Sequence, residues 1–332
     1  MIGSPHDALF KAVFGEPEHA RGALRAIVPA PLAEALDWST LTLRPGSFVD
    51  VALSLQHTDL LYSATSRDRG QALVYLLFEH QSAPPTEELM VYRLLRYQVR
   101  IWERWRADHP KDKTLPVIMP VVMYHGLRPW SEPMAFDSLF AVPSGVRPAI
   151  EPYLVRFTYL LHDLSQISDD ELRDGAMRTA LAKLAVMCFK HARTRADFVA
   201  ILGRWMDVVR EVAGAPNGLK ALAQVMRYIL EVNQHVAQEA LEALFERDIG
   251  PEAKDVIVTT GQQLIEQGRQ LGIEQGIEKG IRGLMLRQLR QRFGNDVDAE
   301  VEQRVVAAPI QEVETWSMRV LSATSLAELF AS

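Results

Sequence analysis

The sequence predicts a mixed α/β domain followed by an almost purely helical region. Three observations point there. Residues 72–78 and 116–124 are short, unbroken apolar runs of the kind that form sheet strands covered on both faces. Between them lies a long stretch with helical spacing, ended by His109-Pro110, which makes a strand–helix–strand crossover. From about Asp169 to Arg247 the apolar spacing is helical almost throughout.

Taken in order, Ser4-Pro5-His6-Asp7 reads as a helix start with a serine cap, and Leu9, Phe10, Val13 and Phe14 then recur at helical spacing up to Gly15. A second helix is expected over 17–27, closed by Val28-Pro29-Ala30-Pro31. The pattern changes after Pro45-Gly46. Strands are expected over 47–55, 58–65, 72–78, 116–124 and 153–161, with a turn at 66–70 and a helix over 86–108. These elements divide the chain into an α/β core over 1–165 and a helical extension over 166–250. A glycine-striped helix or linker follows over 251–282, then a small helical module over 283–332.

Composition narrows the class of protein. The 332 residues are 48% hydrophobic and 23% charged, which is ordinary globular composition. A net charge of −6 argues against indiscriminate polyanion binding, although local patches can still be basic. The single cysteine, Cys188, excludes an internal disulfide or a multi-cysteine zinc site, and its apolar neighbours mark it as a buried structural thiol. His57, His80, His162 and His191 have no zinc-ligand spacing. The apolar runs are too short for a membrane span, and no basic-then-apolar leader opens the chain, so a cytoplasmic protein is expected.

The chemistry concentrates at the ends of two strands. If 58–65 and 72–81 form a hairpin centred near Asp68, position 59 falls opposite about position 77, with Glu79 the next residue on that face. Glu79 and Gln81 share a face, and His80 points away. Two carboxylates and an amide at one end of a buried sheet are oxygen donors suited to Mg²⁺ or Mn²⁺. The plain alternative is the solvated end of a strand. Asp50 is a rival acid. With a turn at Gln56-His57 it would lie opposite about Tyr62, roughly 10 Å from Asp59 and too far to share one ion.

Asp59 followed by Glu79-His80-Gln81 resembles the D…(D/E)xK motif of the PD-(D/E)xK nuclease superfamily. His6-Asp7-Ala8-Leu9-Phe10-Lys11, Asp59-Leu60-Leu61-Tyr62, Glu79-His80-Gln81-Ser82, Tyr92-Arg93-Leu94-Leu95-Arg96-Tyr97 and Pro120-Val121-Val122-Met123-Tyr124-His125-Gly126 together resemble the recombination-promoting nuclease (Rpn, YhgA-like transposase) family over about residues 5–165. The resemblance implies a restriction-endonuclease-like mixed sheet flanked by helices, and metal-dependent hydrolysis of DNA phosphodiesters. It implies that Asp59 and Glu79 hold Mg²⁺ (or Mn²⁺) with the backbone carbonyl of His80. Gln81 stands where the superfamily has lysine; glutamine can orient a water but carries no charge. Lys11 is the candidate for a cation supplied from elsewhere.

The helix after the motif is basic within an acidic chain. Residues 91–113 hold seven cations against three acids, and Arg93, Arg96 and Arg100 share one face, where they would meet DNA phosphates. Tyr97, Trp102 and Trp105 read as packing residues. Further on, Gly268, Gly272, Gly276 and Gly280 alternate with Ile273, Ile277 and Ile281. Each internal glycine costs about 0.8–1.0 kcal/mol relative to alanine, so the segment is either a helix packed closely on a second copy, making a homo-oligomer, or a flexible tether. The leading expectation is a Mg²⁺-dependent DNA endonuclease. Its rival is a weak or inactive nuclease-fold protein that binds DNA or a partner. A transposase using three acids is disfavoured, because no third well-placed carboxylate is evident.

Overall fold

The computed structural model describes residues 4–45, 60–67, 74–84, 88–175 and 177–330, with only the backbone described at 74–77, 79 and 144. The chain divides into two compact units, 1–260 and 261–332. The first unit contains both the expected α/β core and the helical extension, because their apolar residues fuse into one core.

Helices α1 (Pro5–Phe14), α2 (Pro17–Ile27) and α3 (Ala30–Ala35) lead into a five-stranded sheet. Its strands are β1 (Leu36–Leu43), β2 (Leu60–Ser66), β3 (Val74–Gln81), β4 (Val117–Tyr124) and β5 (Leu160–Asp163), adjacent in chain order. The first three are antiparallel; β3, β4 and β5 run parallel. The crossover from β3 to β4 is α4 (Met90–Asp108). Helices α5 (Asp169–Asp174), α6 (Ala180–His191), α7 (Phe198–Arg204), α8 (Met206–Gly214), α9 (Gly218–Val232) and α10 (Gln238–Asp248) complete the unit.

Strand alternation sends side chains to two separate cores. Leu60, Tyr62, Ala64, Phe78, Val121 and Met123 pack with α1, α2 and α6. Leu61, Ile118 and Val122 pack instead under α4, against Met90, Val91, Leu94, Tyr97 and Ile101. Tyr97 and Trp105 are buried and Trp102 is partly buried, as expected of packing residues. Cys188 is buried on α6, and its surroundings push the thiol pKa upward.

Several details differ from expectation. Strand β1 was not anticipated: a bulge between Asp37 and Thr42 shifts its buried positions from Leu36 and Trp38 to Leu41, hiding the two-residue period. Tyr62 has Leu43 on one side and Leu76 on the other, so the pairing expected between Asp50 and Tyr62 is not available. Asp50, the rest of 47–55, and Asp59 lie outside the described residues. In the hairpin, Leu61 pairs with Leu77, two residues from the expected register, because the pairing centres one residue later than Asp68. Helix α4 starts at Met90, and β5 is only four residues long, since 151–153 form a tight helical turn. Ser4 sits at the helix cap without a side-chain bond, whereas Ser325 does accept from the Glu328 backbone N–H.

His162 on β5 makes the first unit acid-sensitive. Its Nε2 is buried with no hydrogen-bond partner among the described residues, and burial lowers its pKa from 6.5 to about 4. The folded state therefore binds fewer protons than the unfolded chain between those values. Its contribution is intact above pH 6.5 and lost as pH falls toward 4, by up to about 3 kcal/mol. His162→Leu is expected to flatten this loss, checked by urea unfolding at pH 7.5 and pH 4.5.

Helix α11 (Pro251–Phe293) crosses the division between the units. In the second unit it packs through Met285 and Leu289 on α12 (Ala299–Ala307), α13 (Ile310–Arg319) and α14 (Leu326–Leu329), with Val305, Val313, Trp316 and Leu329 at the centre. The Arg304 guanidinium lies 4.5 Å from the Phe330 ring centre. Residues 265–280 are helical and exposed throughout, Ile277 at 57%. The glycine-rich stretch is thus helical.

Candidate active site

The site is built at the carboxyl ends of β3 and β4. Strand β3 is short and flanked on both sides, so the residues at its end emerge from a fixed platform. Glu79 pairs in register with Val122, His80 with Met123 and Gln81 with Tyr124. On the other side, the β2–β3 pairing extends to Leu60 and Phe78, the chain neighbours of Asp59 and Glu79. Register partners project to the same side of the sheet. Val122 faces α4, so positions 79 and 81 belong to the α4 face and position 80 to the opposite one.

His80 enters a buried cluster on that opposite face. Its Nε2 lies 2.6 Å from His125 Nε2, one ring donating and the other accepting. The His80 and His125 rings stack at 4.5 Å, and both lie about 5 Å from Phe189. His125 Nδ1 donates to the Phe189 carbonyl at 3.2 Å, and its backbone N–H donates to the Gln81 carbonyl at 3.0 Å. His6 on α1 packs edge-on to His125 and makes a 3.0 Å hydrogen bond with the Tyr228 hydroxyl. Asp7 lies 3.6 Å from His80 Nδ1. Burial lowers all three histidine pKa values, His6 to about 4 and His125 well below the usual range, so the rings are neutral near pH 7. Gly126 is required beside this cluster, because a Cβ there would meet the Tyr124 ring at 1.9–2.5 Å.

The sequence-predicted residues separate on this frame. Gln81 is on the α4 face; Glu79 is in β3, its backbone alone described; Asp59 lies outside the described residues. Lys11 is exposed on α1, which covers the face opposite Gln81, so a site cation from that lysine is not supported. Arg93 is corrected too. It is 5% exposed, on the buried side of α4, with Nη2 3.4 Å from Met90 Sδ, so it cannot form part of an open phosphate-binding surface. Arg96 and Arg100 are exposed but paired, Arg96 with Glu88 at 2.8 Å and Arg100 with Glu103 at 3.0 Å. The i, i+3, i+4 relation holds as spacing, but of the three only Arg93 is buried.

Sequence spacing alone does not bring His6 and His125 together with His80. The available signal was Tyr124-His125-Gly126 directly after a buried strand. Among the described residues, no three His, Cys, Asp or Glu side chains converge on a metal position. A cleft of about 960 Å³ lies at the other end of the sheet, lined by Thr65, Trp105, His109, Lys111, Lys113 and Val117. It is remote from Gln81 and Tyr124, and none of the described motif residues lines it.

A chain with this sheet, this motif strand and the buried His80–His125 pair can be compared with known proteins. It belongs to the family described as "Putative transposase, YhgA-like", whose profile matches residues 4–220. Among its relatives, it is 31% identical to the recombination-promoting nuclease RpnD of Escherichia coli O157:H7, over 79% of this chain and 94% of that protein. It is 30% identical to the inactive recombination-promoting nuclease-like protein RpnE of Escherichia coli strain K12, over 89% of this chain and 92% of that one. Recombination-promoting nuclease RpnA of the same strain is 29% identical, over 80% and 85%. No solved structure matches the chain. Among the described residues, no helix is long and apolar enough to cross a membrane.

Proposed function

We propose that this protein is a Mg²⁺-dependent DNA endonuclease of PD-(D/E)xK type, acting in the cytoplasm. The observation that carries the reading is the β2–β3 register: the pairing reaches Leu60 and Phe78, the immediate neighbours of the two motif acids. Relatives named recombination-promoting nucleases support the same reading. The donor set, Asp59, Glu79 and the His80 carbonyl, is all oxygen and fits a hard divalent ion. When bound, that ion would activate a water and offset charge on the phosphate. Asp59 and Glu79 would hold that ion, and the Gln81 side-chain carbonyl would orient the attacking water by accepting a hydrogen bond from it. The neutral His80–His125 pair fixes the strand end from behind.

Plasmid nicking by purified protein with Mg²⁺, without it, and with EDTA tests this directly. Cleavage only with metal is the expected result. A second reading has its own support, since two relatives are named inactive and Gln81 lacks the lysine charge. Under that reading the protein binds DNA tightly and cuts nothing.

The exposed part of α11 supports self-association. Ile273 and Ile277 are 47% and 57% exposed, and an added Cβ at Gly272 or Gly276 would meet no atom within 4 Å in a single chain. In a lone helix, Gly272→Ala and Gly276→Ala would each add about 0.8–1.0 kcal/mol. If the stripe packs on a second copy, Gly272→Leu with Gly276→Leu instead lowers the oligomer mass measured by light scattering. A one-chain mass for the unaltered protein would end the self-association reading.

A further inference from the structure

We infer that Arg193 and His6 form a phosphate-binding site at the carboxyl end of β3, taking a backbone phosphate of DNA. The inference rests on the DNA reading above and adds to it a contact that stands apart from the motif acids.

Several elements meet at this place. Arg193 lies in the turn after α6, and its Nη1 donates to the Ser82 carbonyl at 3.3 Å, one residue beyond Gln81. His6 comes from the first turn of α1, His125 directly follows β4, and Tyr228 belongs to α9. The Arg193 charge acts to lower the pKa of His6, His125, Tyr124 and Tyr228, so the guanidinium is within electrostatic reach of all four. Arg193, His6 and Ser82 are each partly buried.

Three observations point to an anion here. First, the cation has no carboxylate. Arg193 makes no ion pair among the described residues, whereas Arg195 forks onto Asp197 through two 2.8 Å bonds. The Asp7 carboxylate sits instead at His80, 3.6 Å from Nδ1. One carbonyl occupies one of five guanidinium N–H donors, and the planar remainder suits two phosphate oxygens at once. Second, the turn is pinned in advance. Asn233, 5% exposed at the end of α9, donates from Nδ2 to the Ala192 carbonyl at 2.6 Å and the Arg195 carbonyl at 3.2 Å, on either side of Arg193. Its Oδ1 accepts from the backbone N–H groups of His235 and Val236. A side chain fixed this way loses little freedom when a ligand arrives. Third, a second donor stands beside the first. The Tyr228 hydroxyl is buried, and its one hydrogen bond among the described residues is to His6 Nδ1 at 3.0 Å. A buried O–H left without an acceptor is costly, so Tyr228 donates to Nδ1. The neutral His6 ring then carries its proton on Nε2, which has no hydrogen-bond partner among the described residues.

The test measures DNA binding by the full chain in EDTA, so that cleavage plays no part. Fluorescence anisotropy of a labelled duplex is followed across a salt series, with thermal unfolding of every variant. Arg193→Gln is expected to bind about 10–100-fold more weakly, the loss of a charge-assisted hydrogen bond. Its slope of log affinity against log salt should also shrink by about one. Arg193→Lys keeps the charge and should keep the slope, yet bind more weakly, because an ammonium cannot span two oxygens. His6→Phe removes a neutral donor and should weaken binding at an unchanged slope. A folded Arg193→Gln with unaltered affinity, or with weaker binding at an unaltered slope, overturns the inference and leaves the nuclease reading intact. If Arg193→Gln does not fold, a folded Arg193→Lys or His6→Phe that binds as tightly as the unaltered protein overturns it. No DNA binding by the unaltered protein removes the DNA reading and this site together.

Discussion

Asp59→Ala and Glu79→Ala are each expected to abolish Mg²⁺-dependent nicking while leaving thermal unfolding close to that of the unaltered protein. If both acids hold one ion, removing either leaves a single carboxylate, and a strongly hydrated divalent cation is poorly retained by one. The fold should survive, because these positions border the last described β2–β3 pair, Leu60 with Phe78. Asp50→Ala is expected to have a much smaller effect. Its anticipated position beside Tyr62 is filled by Leu43. Full activity in folded Asp59→Ala would remove this pair of acids from the site. Isothermal titration with Mg²⁺ gives a readout independent of turnover: heat of binding should vanish in both variants.

Phe10→Ala should give the largest stability loss. The ring is fully buried on α1, with ring centres 5.3 Å from Phe14, 5.0 Å from Phe78 and 5.0 Å from His80. Truncating a buried phenylalanine costs about 3–5 kcal/mol, from lost transfer energy and the cavity left behind. Small domains have only about 5–15 kcal/mol of stability in total. Urea unfolding should therefore show a much lower midpoint, and nicking should also fall because Phe10 supports the His80 ring. A loss below about 1 kcal/mol would mean that α1 is not part of the main core.

Much of the fold was legible because the relevant signals are local. The apolar runs at 72–78 and 116–124 became β3 and β4, and the spacing of Leu9, Phe10, Val13 and Phe14 correctly described the buried side of α1. Periodicity reports which residues avoid water, and it needs no knowledge of the partner element. It failed at β1, where the bulge breaks the period, and at the hairpin, where moving the turn by one residue shifts every pair by two.

The candidate site divides along the same line. By itself the sequence determined the family resemblance, the motif acids Asp59 and Glu79, and the missing lysine at Gln81, all of which depend only on residue identity and spacing. Tertiary structure decided what each face of the sheet meets: α1 covers the His80 face and α4 the Gln81 face. It also brought His6, His80 and His125 together across 119 positions of chain. A strand's alternation sets which residues share a face, but only the packed helices decide what that face meets, because burial is settled between elements distant in sequence.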